Sequence, residues 1–186
     1  PMAAAARAIG VDRCNLMGTS SGGRTALHLA VQAPEQVTAL ILESPAAIRE
    51  PGGRPPSGTP EEVARMLFAH PERVPPLPAP DPEVQARTGR LVARLRGPDR
   101  DPALEARMRD LATPTLVLFG TLDRVTPSTL GRHYKALLPN GNLVLVYDAA
   151  HAIGTDRPAA FCEVVGDFLE RHEAFIISQH ETLINP

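Results

Sequence analysis

Met17-Gly18-Thr19-Ser20-Ser21-Gly22-Gly23 follows a short apolar run, Cys14–Met17, and precedes a stretch with helical spacing. The pattern is G-x-S-x-G at a junction between an expected buried strand and an expected helix. A turn that tight needs small residues, and Gly18 and Gly22 are read as letting the backbone close around Ser20. Ser20 is then expected at a strained, exposed tip with a helix N-terminus behind it. The helix dipole favours negative charge developing there, and the N–H of Ser21 points towards it. A plain glycine-rich turn and a phosphate-binding loop are the competing readings. The segment contains neither Gly-Lys-Ser/Thr nor G-x-G-x-x-G, which speaks against nucleotide binding.

Outward from this turn, the chain alternates between two periodicities. Met2–Ala8 is Ala-rich and helix-favouring, and Gly10 suits its end. Gly22–Ala33 has Ala26, Leu29, Ala30 and Ala33 on one helical face, and Pro34 stops it. Val37–Leu42 is a second β-like run. Of the 20 prolines, 12 then fall between Ala46 and Ala112. That stretch is incompatible with a central strand and reads as short helices, Glu61–Ala69, Glu83–Leu95 and Ala103–Leu111, joined by stiff linkers. Thr115–Phe119 and Leu143–Tyr147 are further buried strands, with a helix over Ser128–Leu138 between them. Pro158–Arg171 closes the pattern as a helix whose Phe161, Val164, Val165, Phe168 and Leu169 form one stripe. Four apolar strands alternating with helices imply an α/β fold with a parallel sheet of about four strands and flanking helices.

In such sheets functional groups gather beyond the carboxyl ends of the strands. Past Phe119 lies Gly120-Thr121-Leu122-Asp123-Arg124-Val125-Thr126-Pro127. Past Tyr147 lies Asp148-Ala149-Ala150-His151. One helix and one strand separate Asp123 from His151, so their loops are expected side by side. An Asp there would hold the imidazole tautomer of His151, and His151 would act as general base towards Ser20. Taken alone, a loop Asp is usually a turn-former or helix cap.

Composition narrows the partners. The chain has 186 residues, 43% hydrophobic, with a formal net charge of −2. That suits one domain of ordinary size with a sizeable core and speaks against global disorder. There is no basic run for nucleic acid and no apolar stretch long enough to span a bilayer. Cys14 and Cys162 are far apart and read as two reduced core thiols of a cytoplasmic protein. His28, His70, His133, His172 and His180 are not paired at ligand spacing, so no metal is expected.

Taken together, MGTSSGG resembles the nucleophile elbow of the α/β-hydrolase family, LFGTLDRVTP its acid loop, and AAH with RPAAFCEVVGDFL its histidine loop and last helix. The Ser…Asp…His order is that family's and not the chymotrypsin or subtilisin order. The resemblance covers Met2 to Leu169, less the insertion. It implies a core from residues 1–45 and 113–172, a cap or lid over 46–112 and a tail over 173–186. It also implies a cofactor-free serine hydrolase of a small ester-like substrate, with Ser20, Asp123 and His151 as the triad and Ser21 N–H in the oxyanion hole. Thioesters, lactones and carbon–carbon bonds are alternative targets. Met66, Leu67, Phe68, Leu91, Val92 and Leu95 are candidates for an apolar pocket, against ordinary helix packing. Asp148, Asp156 and Glu43 are rival acids, Glu43 because some members carry theirs after that strand. The resemblance starts midway through the family's fold, without the four preceding strands or the loop of the second oxyanion donor. On that ground an incomplete hydrolase is expected, with the three side chains of the site present and half of its scaffold not, and with Cys14–Met17 as a bare edge. Inactivity or dependence on a partner is expected only if this chain is all that the cell makes. A non-catalytic ligand-binding or scaffold member is the reading from another class, and a flavodoxin-like or nucleotide-binding domain the third.

Overall fold

Runs such as Val37–Leu42 and Thr115–Phe119 carry almost no polar residue, so strands made from them need cover on both faces. The computed structural model, which describes residues 2–53, 55–75 and 81–175, supplies that cover. Strands β1 (Cys14–Thr19), β2 (Val37–Glu43), β3 (Thr115–Gly120) and β4 (Gly141–Val146) form one sheet in the order β1-β2-β3-β4. Every neighbouring pair is parallel. The register sets Thr19 beside Glu43, Glu43 beside Leu118 and Gly120 beside Val146, so the carboxyl ends form one rim.

Successive strand residues point to opposite faces, and each face has its own core. On one side Leu40, Leu42, Val117 and Phe119 pack under α2 (Ser21–Gln32), α5 (Pro102–Met108) and α6 (Gly131–Leu137). On the other, Ile41, Leu116, Leu118, Val144 and Val146 meet α8 (Pro158–Arg171) through Val164 and Phe168. Phe161, Val165 and Leu169 flank that contact, as the stripe predicts. The buried face of α2 is wider than the expected one. Ala26, Ala30 and the adjoining Ala33 are buried as the spacing predicts, Leu29 is half-buried, and Gly23, Leu27 and Val31 are buried as well. The extra width arises because α2 packs against α5 as well as the sheet.

Between β2 and β3 the prolines start helices instead of breaking them. Pro60, Pro82 and Pro102 each occupy the first turn of α3 (Pro60–Leu67), α4 (Pro82–Leu95) and α5, where a missing N–H costs nothing. Thr59, Asp81 and Asp101 cap the same three helices, Thr59 in a reciprocal box with Glu62. The two ends of this segment belong to the sheet's core, through Ala47 and Ile48 at one end and Leu104, Met108 and Leu111 at the other. By contrast, α4 is exposed along its whole length. A seven-residue helix, α1 (Met2–Ala8), precedes β1, and a single turn, α7 (Ile153–Asp156), precedes α8.

β1 pairs with β2 alone among the described residues, and Asn15, Met17 and Thr19 on it are exposed. Both cysteines are free, but neither is a core residue: Cys14 is half-buried at the start of β1 and Cys162 exposed on α8. Burial tendency misplaced them because Cys14 lies on the outer strand of the sheet and the apolar stripe of α8 leaves position 162 outside it. Of the tail, Phe175 packs on Phe168 edge to face, with ring centroids 5.5 Å apart. The rest of FIISQHETLINP, including His180, lies outside the described residues.

Candidate active site

The turn after β1 is held from three sides. Ser20 N–H donates to the Glu43 carbonyl (2.9 Å), and the Ser20 carbonyl accepts from Ala46 N (2.9 Å) and Arg24 N (3.2 Å). These bonds keep Ser20 at φ 54°, in the left-handed region that a non-glycine residue enters only under constraint. The small residue that the turn requires is Gly18. A Cβ there would lie 2.4 Å from the Gly22 carbonyl oxygen. Gly22 itself has open space where a side chain would go, so its role in the turn is the approach of its carbonyl, not the lack of a side chain.

Ser20 occupies the N-cap position of α2, yet its hydroxyl makes no capping bond. A serine at that position ordinarily bonds a backbone N–H of the first turn. Ser21 is the first helical residue, so its N–H has no carbonyl one turn earlier to bond. The positive end of α2 and a free N–H therefore sit beside the Ser20 hydroxyl. No hydrogen bond joins Ser20 Oγ to His151.

Asp123 and His151 are in direct contact. Nδ1 of His151 lies 3.0 Å from Asp123 Oδ2 and 3.2 Å from Oδ1, and both residues are buried. A carboxylate only accepts, so Nδ1 carries the proton, and in the tautomer that can act as a base Nε2 is the acceptor. The turn Asp123-Arg124-Val125-Thr126 fixes the carboxylate. Oδ1 accepts from Val125 N (2.8 Å) and Thr126 N (2.9 Å), and Oδ2 from Thr126 Oγ1 (2.9 Å). Thr126 Oγ1 is also 3.2 Å from His151 Nδ1 and 3.3 Å from the Ser44 carbonyl. Sequence reading missed Thr126; the signal was a Thr three residues after an Asp in a loop, a spacing that lets the Asp bond the backbone ahead of it.

Burial raises the Asp123 carboxyl. The hydrogen bond and charge of His151, with the N–H groups of Thr126 and Val125, outweigh it and hold the carboxyl below its ordinary 3.8. A lowered folded-state value means that the stabilisation is fully present above the unfolded value and is lost as pH falls through the folded one. The stability difference between the wild-type chain and Asp123→Asn is therefore expected to be largest near neutral pH and to narrow below pH 3.8. Urea midpoints across that range measure it.

Gly120, at the end of β3, was also missed. A Cβ there would fall 2.2 Å from the Ala150 carbonyl oxygen and 2.3 Å from that of Ala149. The absent side chain lets the histidine loop pass over the end of β3, which brings His151 to Asp123. Gly120→Ala should displace that loop and cost about 3 kcal/mol, the upper end for overpacking, read as a lower urea midpoint.

The three rival acids are engaged elsewhere. Asp148 accepts from His70 Nε2 (2.8 Å). Asp156 accepts from Ala69 N (3.0 Å) and Ala150 N (2.8 Å). Glu43 accepts from Thr19 Oγ1 (2.6 Å) and Gly154 N (3.0 Å). Two of these bonds tie residues 69–70, just after α3, to the histidine loop. Ala152 N–H to the Leu67 carbonyl (3.0 Å) and Arg124 Nη1 to the Arg65 carbonyl (2.7 Å) add two more ties. An open cavity of about 580 Å³ lies beside them, lined by Glu62, Arg65, Met66, Ala69 and Arg124 among others. Of the six apolar residues considered for a pocket, Met66 lines it. Phe68 is buried, and Leu91, Val92 and Leu95 are exposed on α4. Among the described residues no group of three or more His, Cys, Asp or Glu is placed to hold a metal, and no helix is long and apolar enough to cross a membrane.

A strand–turn–helix serine, an Asp–His pair after the third and fourth strands and a parallel sheet covered on both faces describe one family. The sequence model of the alpha/beta hydrolase family matches residues 3–164, and the chain belongs to that family. Among its relatives is the pimeloyl-[acyl-carrier protein] methyl ester esterase of Nitrosomonas europaea, 30% identical over 80% of this chain and 68% of that protein. Another is the 2-hydroxymuconate semialdehyde hydrolase of Pseudomonas putida, 27% identical over 90% of this chain and 66% of the relative. Among solved structures, a bacterial membrane phospholipase A superposes with a TM-score of 0.73 at 27% identity, over 91% of this chain and 60% of that one. The chain thus spans about two thirds of the length of the curated relatives it matches.

Proposed function

We propose that the protein is a serine hydrolase that cleaves a carboxylic ester or related acyl bond through Ser20, His151 and Asp123. The observation that carries this reading is the buried Asp123–His151 pair, whose 3.0 Å contact fixes the tautomer a general base needs. Ser20 attacks the substrate carbonyl as His151 Nε2 takes its proton. The oxyanion forms beside the Ser21 N–H at the positive end of α2. His151 then returns the proton to the leaving group, and the acyl-enzyme is hydrolysed by water that His151 activates. Asp123 holds the ring and stabilises its charged form. No step calls for a metal or organic cofactor. We assign the cap to the segment 46–112, of which residues 65–70 are bonded to both the acid and histidine loops. The substrate is a small molecule whose choice rests with that cap.

Carbon–carbon bond hydrolysis is the second reading, and similarity to 2-hydroxymuconate semialdehyde hydrolase favours it. Assay on p-nitrophenyl esters of graded acyl length, beside a vinylogous 1,5-diketone acid, separates the two. Turnover of the esters supports the first reading, and turnover of the diketone alone replaces it with the second. Turnover of neither by a folded chain contradicts both.

A further inference from the structure

We propose that Glu43 is a positioning residue of this site, whose buried carboxylate holds the nucleophile turn and the histidine loop at a fixed separation. The inference rests on the triad reading given above. Glu43 ends β2 and is 5% exposed. Its Oε2 accepts from Thr19 Oγ1 at 2.6 Å, and Thr19 directly precedes the nucleophile. Its Oε1 accepts from Gly154 N at 3.0 Å, three residues beyond the base in the single turn α7. Its main-chain carbonyl accepts from Ser20 N at 2.9 Å. One residue therefore bonds both loops.

The sheet order makes this bridge consequential. Ser20 leaves β1 and His151 follows β4, and two strands lie between them. No ladder bond relates the ends of those outer strands. The Glu43 side chain reaches past β3 to close the gap. A carboxylate so buried is costly unless its oxygens are bonded, and here both are. Among the described residues no Lys or Arg pairs with it. It is not the acid of the triad either, because the Nδ1 proton of His151 goes to Asp123. An apolar residue would extend the run Val37–Leu42 without that cost, but could not join Thr19 to Gly154.

The test is the labelling of Ser20 by a fluorophosphonate in the full chain, in wild type, Glu43→Ala, Glu43→Gln and Thr19→Val. Probe concentration is varied so that the saturating rate and the half-saturating concentration are read separately. Glu43→Ala is expected to slow the saturating rate about 10–100-fold, with the half-saturating concentration unchanged, since small misplacements of reacting groups cost on this scale. Glu43→Gln should stay within about threefold of wild type, because its amide oxygen accepts from Gly154 N while its NH₂ donates to Thr19 Oγ1. Thr19→Val should slow labelling in the wild-type background and add nothing in Glu43→Ala. A purely structural role would instead lower the fraction of chains labelled, with the rate per labelled chain preserved.

If Glu43→Ala labels at the wild-type rate, or Glu43→Gln labels as slowly as Glu43→Ala, the bridge is wrong and the triad stands. If Glu43→Ala does not fold, Thr19→Val decides in the same way: slower labelling supports the bridge, and wild-type labelling overturns it. A folded wild-type chain that takes no label overturns the triad and this inference together.

Discussion

Ser20→Ala is expected to lower kcat about a million-fold relative to the wild-type chain, the scale seen when the nucleophile of such a unit is removed. The protein should remain folded. Alanine keeps the Cβ that serine has at φ 54°, so the backbone constraint on the turn is unchanged. The Ser20 hydroxyl caps no helix, so its loss leaves no donor of α2 newly unpaired. His151→Ala should cost about as much, and the double variant little more than either alone, because a nucleophile and its base act as one device. Equal urea midpoints for wild type and Ser20→Ala, beside this fall in activity, would separate chemistry from stability.

Asp123→Asn should lower kcat about 10⁴-fold. The two oxygens of Asp123 have different neighbours, and that settles which way the amide points. Oδ1 receives the N–H groups of Val125 and Thr126, at 2.8 and 2.9 Å, and can be replaced only by another acceptor. The Asn oxygen must therefore stay there. Its NH₂ then takes the place of Oδ2, 3.0 Å from His151 Nδ1. Two donors cannot face each other, so the imidazole proton moves to Nε2. The ring then has no free nitrogen to receive the Ser20 proton. The fall should appear in kcat more than in KM, and the crystal structure of the variant should show the ring in place.

The sheet and two members of the candidate site were legible in the sequence for the same reason. Val37–Leu42 and Thr115–Phe119 are apolar on both faces, so their cover by helices followed from composition. Asp123 and His151 stood out because each comes just past such a strand, and neighbouring parallel strands bring such loops together. Contacts between residues distant in sequence were not legible. Nothing near Gly120 announces that the Ala149 and Ala150 carbonyls pass over it. Glu43 was recognisable as an acid at a strand end, but its bonds to Thr19 and Gly154 depend on the strand order β1-β2-β3-β4. The buried face of α2 was read too narrowly, without Leu27 and Val31, because a single-face pattern assumes one neighbour, and α2 has two. The apolar positions of α4 carry a clear helical pattern, yet periodicity specifies a helix and not what it packs against.

The most direct test of the account is fluorophosphonate labelling of the full chain with peptide mapping. Covalent label is expected on Ser20, absent in Ser20→Ala and strongly slowed in both His151→Ala and Asp123→Asn. A cooperatively folded wild-type chain that takes no label, or takes it on a residue other than Ser20, would contradict the triad.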